Sequence, residues 1–188
     1  MPEPVYVWDI DRTIVRSSLE RHFLKYLRTD VSKFSLWKTA WHWFWLSLRI
    51  PPPPLWRTKL AYLRGFTVNE VDYWFETCFS SRVMPVLYAG SVTAIRKLRT
   101  ENQRLVLVSG TPRPLAERMA KHLGIKHVIA AEPEVVDNRY TGRLLHPHPH
   151  AKYKVAAVQR LLDDQDWSWE QVVALADHHD DEYLLGRA

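Results

Sequence analysis

Four short aliphatic runs do most to limit the architecture: Val5-Tyr-Val-Trp8, Arg104-Leu-Val-Leu-Val108, His127-Val-Ile-Ala-Ala131 and Val172-Val-Ala-Leu-Ala176. Each is too short for a stable helix and is rich in strand-forming residues, which predicts strands buried in a sheet. Helical patterns over 89–100, up to Leu123 and over 152–163 fall between the later runs, with a hairpin over 134–144 turning at Asp137-Asn138. Pro112 or Pro114 suits the first turn of the middle helix, after a turn at 109–114, and Gly124 suits its end. The alternation predicts an α/β fold with a mostly parallel sheet and a three-layer α/β/α, Rossmann-like core. Between the first run and the rest lies a stretch that reads as helical over 17–29, 34–50, 55–64 and 68–80, with Thr67 or Asn69 as a start signal and Pro51–Pro54 as a break. The expected division is a core of 1–15 plus 86–188 and an inserted helical cap of 16–85.

The residues that follow each run carry chemistry. After the first come Asp9 and Asp11, after the second Ser109 and Gly110, and after the last Asp177, Asp180 and Asp181. Open parallel sheets bind ligands beyond the carboxyl ends of their strands, so three strand ends deliver carboxylates and a hydroxyl to one edge. Along an extended strand Asp9 and Asp11 would point the same way. A divalent cation among them relieves their repulsion, and hard oxygen ligands suit Mg²⁺. One carboxylate can attack phosphorus while the other protonates the leaving oxygen. A serine hydroxyl, amides at a glycine and one lysine can neutralise a phosphoryl group.

Asp9-x-Asp11-x-Thr13, Ser109-Gly-Thr, a lysine before the last helix and Asp177-x-x-x-Asp181 resemble the four motifs of the haloacid dehalogenase-like hydrolases. The wording around them is most similar to the phosphoserine-phosphatase-like branch, and the resemblance covers 5–15 and 84–185. It implies Asp9 as nucleophile, Asp11 as general acid and base, and Thr13 as the residue that orients the first loop. It implies that Ser109 and the Gly110 amide hold phosphate oxygens. Mg²⁺ would bind Asp9, the Asp11 backbone carbonyl and Asp177, with Asp181 as a ligand or in support. Two lysines compete for the phosphate-binding role, and the spacing from Arg139-Tyr-Thr-Gly-Arg-Leu144 favours Lys154 over Lys152. The sequence departs from the family in Tyr153, where glycine is common, and in the histidines His178 and His179 after Asp177. Members also usually continue through another short strand and helix.

Composition bounds the partners. Lys and Arg number 26 against 21 acids, a net charge of +5 that is scattered rather than blocked. It suits an anionic small substrate better than nucleic acid. The one cysteine, Cys78, fits a reducing, cytoplasmic setting and a buried thiol. No apolar run reaches the roughly 18 residues of a membrane span. Residues 36–56 nevertheless hold Trp37, Trp41, Trp43, Trp45 and Trp56, which suits a buried or dimer-buried cap helix, an apolar substrate wall or peripheral contact with a membrane interface. The His146-Pro-His-Pro-His150 segment reads as an extended loop rather than a zinc site. The expected activity is a Mg²⁺-dependent phosphomonoesterase, monomeric or homodimeric, acting on a small metabolite. A lipid-headgroup phosphatase and a catalytically silent phosphate-binding module are the alternatives.

Overall fold

The computed structural model describes residues 3–32, 40, 41, 44, 59–147, 149, 152–177 and 182–188. Strand β1 (Val5–Asp9) leads to helix α1 (Leu19–Asp30), and helix α2 (Val68–Cys78) follows. Then come α3 (Ala89–Thr100), β2 (Arg104–Pro112), α4 (Arg113–Leu123), β3 (His127–Ala131), β4 (Pro133–Val136), β5 (Arg139–Leu144), α5 (Lys152–Asp164), β6 (Val172–Leu175) and α6 (Glu182–Leu185). The main sheet is parallel in the order β3-β2-β1-β6, and β4 and β5 form a separate antiparallel hairpin.

Strand alternation sorts the core into two layers of contact. Val5 and Val7 of β1, with Val106 and Val108 of β2, meet Val158 and Leu162 of α5 and Leu184 of α6. Trp8, Leu105 and Leu107 face the other way, against Leu115, Met119 and Leu123 of α4 and Ile95 of α3. Helices therefore cover both faces of the sheet, which is the three-layer α/β/α arrangement expected. The second cluster also takes in Leu19, Phe23 and Leu27 of α1 and Val71 and Phe75 of α2, so the helical stretch before α3 shares that core. Each aliphatic side chain fully withdrawn there contributes about 1.5–3 kcal/mol.

Local signals explain most boundaries. Thr67, not Asn69, caps α2: its hydroxyl accepts from the Glu70 amide at 3.3 Å and its own amide donates to the Glu70 carboxylate at 3.0 Å. Pro114 sits in the first turn of α4, and Gly124 ends it at φ 71°. Asp137 and Asn138 turn the hairpin with both φ angles positive, a conformation that short polar side chains tolerate.

Two expectations need correction. The second strand does not end at Val108 but continues to Pro112, with a shift of its register against β3 between Val108 and Pro112. The Ser109-Gly-Thr segment is thus a bulged strand end rather than a free turn, and bulges re-aim side chains next to sites. Of the helix expected over 55–64, the described part is a single 3-10 turn, Ala61–Leu63. The reason is a clasp by the hairpin: the Gly65 amide donates to Tyr140 O at 2.8 Å, and Tyr140 N donates to Phe66 O at 3.0 Å. That backbone pairing competes with a continued helix. Most of the tryptophan-rich helix expected over 34–50 lies outside the described residues.

Candidate active site

The register of the sheet aligns the chemistry. Asp9 is paired with Val108 across β1 and β2, and Trp8 with Leu175 across β1 and β6. Asp9, Ser109 and Asp177 therefore emerge at one end of three neighbouring parallel strands.

Asp9 keeps the parity of Val5 and Val7, so its side chain leaves the sheet on the α5 side. Lys154 stands four residues before Val158 and eight before Leu162, on the face of α5 that packs on the sheet. Its ammonium donates to Asp9 Oδ1 at 2.7 Å, with both residues buried. Lys154 is thus the lysine brought to Asp9; the side chain of Lys152 lies outside the described residues.

Asp11 does not share Asp9's surroundings, because the chain does not stay extended past β1. Ile14 N and Val15 N both donate to Ile10 O, and Arg12 takes a left-handed φ of 63°. The Asp11 carboxylate accepts from the Leu19 amide at 2.7 Å, at the start of α1, where acids are favoured. Its other oxygen takes hydroxyl protons from Ser109 at 3.3 Å and Thr111 at 3.4 Å. Burial pushes the Asp11 carboxyl above the usual carboxylate range, against the pull of the Leu19 amide, Ser109, Lys154 and Lys59. A carboxyl so placed can hold a proton and pass it on.

The Thr13 hydroxyl lies 3.4 Å from Asp9 Oδ2 and 3.4 Å from Asp177 Oδ1. Two carboxylates from different strands thus reach one small volume beside a hydroxyl. This set of hard oxygens fits a divalent cation such as Mg²⁺. Asp181, expected as a further ligand, lies outside the described residues, as do His178 and His179. Ser109 is fully buried and its Oγ also accepts from the Thr111 amide at 3.0 Å. Gly110 sits between them on the bulged strand end.

Several residues here were not foreseen. Thr111 reaches Asp11. The Ser91 hydroxyl, on α3, donates to Thr13 O at 2.7 Å and so holds the first loop. Lys59 pairs with Glu20 at 3.3 Å, and the buried Tyr62 hydroxyl donates to the same carboxylate at 2.9 Å. Glu20 follows Leu19, whose amide donates to Asp11, and Lys59 is close enough to act on the Asp11 charge. His146 is exposed, and among the described residues no group of three or more His, Cys, Asp or Glu is gathered as a metal cluster, at this edge or elsewhere.

Known proteins share this chain's sequence pattern and fold. The family model described as haloacid dehalogenase-like hydrolase matches residues 6–185. Phosphoserine phosphatase SerB2 of Mycobacterium tuberculosis is 34% identical over 130 residues, 69% of this chain and 30% of its own length. A putative hydrolase of Mycobacterium leprae is 26% identical over 129 residues, 69% of this chain and 43% of its own. The chain thus spans less than half the length of these curated relatives. Among solved structures, a protein of unknown function from Bordetella pertussis Tohama I superposes with a TM-score of 0.80 at 21% identity, covering 99% of this chain and 87% of that one. An apo phosphoserine phosphatase superposes with a TM-score of 0.67 at 14% identity, covering 99% and 83%. Those likenesses establish a shared fold. With four motifs gathered at one sheet edge and a family model spanning nearly the whole sequence, the chain belongs to the haloacid dehalogenase-like hydrolases.

Proposed function

We propose that this chain is a Mg²⁺-dependent phosphomonoester phosphatase that works through a phosphorylated Asp9. The observation that carries the reading is the division of labour between the two acids. Asp9 is held as a carboxylate by a buried ammonium at 2.7 Å, while burial raises its neighbour Asp11.

In this mechanism an Asp9 oxygen attacks phosphorus, the bond from phosphorus to the ester oxygen breaks, and that oxygen takes the Asp11 proton. Asp11, now a carboxylate, then accepts a proton from water as the water attacks the aspartyl-phosphate. Phosphate leaves and the Asp9 carboxylate is restored. Ser109, the Gly110 amide and Lys154 would hold the equatorial oxygens, on which negative charge is concentrated. Asp9, the Asp11 carbonyl and Asp177, with help from Asp181, would hold Mg²⁺, which when bound would supply positive charge to the phosphoryl oxygens. Thr13 keeps the Asp9 and Asp177 carboxylates at a fixed spacing.

The leaving group belongs on the Asp11 side. There the Lys59 ammonium and Glu20 carboxylate, steadied by Tyr62, present both signs of charge. Such a pair favours a small polar leaving group of the phosphoserine kind, in keeping with the names of several relatives. A lipid-headgroup phosphatase is the second reading, favoured by the half-exposed Trp41 and Phe44.

The test is hydrolysis of p-nitrophenyl phosphate, O-phosphoserine and a phosphatidyl phosphomonoester, with Mg²⁺ and with EDTA. Turnover that needs the metal and vanishes in Asp9→Asn supports the reading, and the preferred substrate chooses between the two leaving groups. Turnover that survives Asp9→Asn sinks the covalent mechanism. No turnover, and no binding of beryllium fluoride by the Mg²⁺-loaded protein, sinks the phosphatase reading and leaves a silent module.

A further inference from the structure

Helix α1 has two unlike faces. Leu19, Phe23, Tyr26 and Leu27 are buried in the core. Arg21, Lys25 and Arg28 recur at spacings of four and three residues, so they share the opposite stripe. All three are exposed, and among the described residues none is paired with a carboxylate. Leu24, partly buried, lies between them on the same stripe. Together with Ser18, Glu20 and Thr29 they line an open groove of about 580 Å³. A row of unpaired like charges on one helix face costs stability through self-repulsion, so the fold gains nothing from it.

The stripe begins where the site begins. Leu19 donates to Asp11, and the next residue, Glu20, lines the groove. Two large aromatic side chains of the neighbouring segment are also turned to solvent: Trp41 is 52% and Phe44 50% exposed, with ring centroids 6.4 Å apart.

We infer that the basic stripe of α1 docks the protein on an anionic lipid surface. The occupant follows from complementarity. The cations lie along one straight helix, which suits a plane of negative charge. Their aliphatic stems and Leu24 give the stripe an apolar floor from which ammonium and guanidinium groups can reach upward to headgroups. Exposed tryptophan and phenylalanine are the side chains that the headgroup boundary accepts. Nucleic acid is the less fitting partner, because its contacts would need hydrogen-bonding side chains that track a grooved backbone, and the stripe offers an apolar residue at its centre. Docking through α1 would set the mouth of the site beside the membrane.

The experiment is flotation of the full chain, in EDTA so that no turnover is involved, with vesicles of phosphatidylcholine alone or mixed with phosphatidylglycerol. Binding is expected to the mixed vesicles alone and to weaken as salt is raised. The triple variant Arg21→Gln, Lys25→Gln, Arg28→Gln is expected to bind on the order of 100-fold more weakly, each juxtamembrane cation counting for about a fivefold change. Its melting temperature should match the parent because all three side chains are exposed; if the triple variant fails to fold, Lys25→Glu alone serves. Equal binding to both vesicles, no binding to either, or unaltered binding by the variant would overturn the inference. So would equal, stripe-dependent binding to duplex DNA at the same salt. Because the assay reads no chemistry, a dead active site would leave its outcome unchanged.

Discussion

Lys154→Met tests the centre of the site through stability alone. The ammonium and the Asp9 carboxylate are 2.7 Å apart, and the two residues are 5% and 4% exposed. Removing one member of a buried ion pair leaves a charge without its compensation, at a cost of about 3–5 kcal/mol. In a domain of this size each kcal/mol moves the melting point by about 2–4 °C, so a fall of roughly 6–20 °C is expected. The decisive part is the second background. In Asp9→Asn the carboxylate is gone, and Lys154→Met then removes an ammonium that no longer faces the Asp9 charge. The double variant should be more stable than the sum of the two single losses predicts, by about 2 kcal/mol or more. Urea titrations in EDTA, with equal slopes across the four proteins, measure this directly. Additivity within about 0.5 kcal/mol would show that the two groups do not interact, and would refute the account of Asp9 as an ammonium-held carboxylate.

Four further outcomes are expected. Ser91→Ala should lower kcat about tenfold by freeing Thr13 O while costing only about 1 kcal/mol of stability, and Ser91→Thr should restore it; equal kcat would remove Ser91 as a positioning residue. Arg118 on α4 spans to Asp72 and Glu76 of α2 and lies 5.9 Å from the Phe75 ring, so Arg118→Ala should raise amide exchange in α2 before that in β1 and β2; uniform exchange would refute a local tie. Cys78 is fully buried with its thiol pushed up to about 12, chiefly by burial, so iodoacetamide should label it only at the rate of unfolding. The sign of the pH effect follows: a thiol raised in the folded state contributes fully below its unfolded pKa of about 8.5 and is lost as pH climbs towards 12, and Tyr140 adds in the same direction. Stability that rises between pH 9 and 12 would contradict both.

The legible parts of this fold were those written in local pattern. The run Val5–Asp9 announces a strand because its aliphatic residues leave no helical face, and Thr67 announces a helix start because it can cap the Glu70 amide. Asp137-Asn138 announces a hairpin because both residues accept a positive φ. The choice of Lys154 over Lys152 comes from the family resemblance, through its spacing from Arg139–Leu144; the spacing from Val158 and Leu162 that turns it to the sheet shows only in the folded chain. What escaped depends on distant partners. Nothing around Ser91 says that Thr13 O will lie above it, and Lys59 becomes notable only when folding sets it beside Glu20. The extension of β2 through Ser109-Gly-Thr to Pro112 escaped for the same reason. A glycine and a proline suggest a turn, and only pairing with Ala131 of β3 keeps that segment extended.

The sheet order carries a consequence for synthesis. Among the described strands β1, which carries Asp9, is made before the others, yet it lies inside the sheet between β2 and β6, the one of them furthest along the chain. Its ammonium partner is 145 residues away and its second carboxylate neighbour 168 residues away, by way of a threonine 164 residues from that carboxylate. A nascent chain therefore carries Asp9 without Lys154 and Asp177 beside it until β6 docks. Contacts this distant make for slow folding. In return, the order of translation acts as a safety catch for the proposed chemistry: a chain made only as far as β5 carries Asp9 with neither Lys154 nor Asp177 beside it.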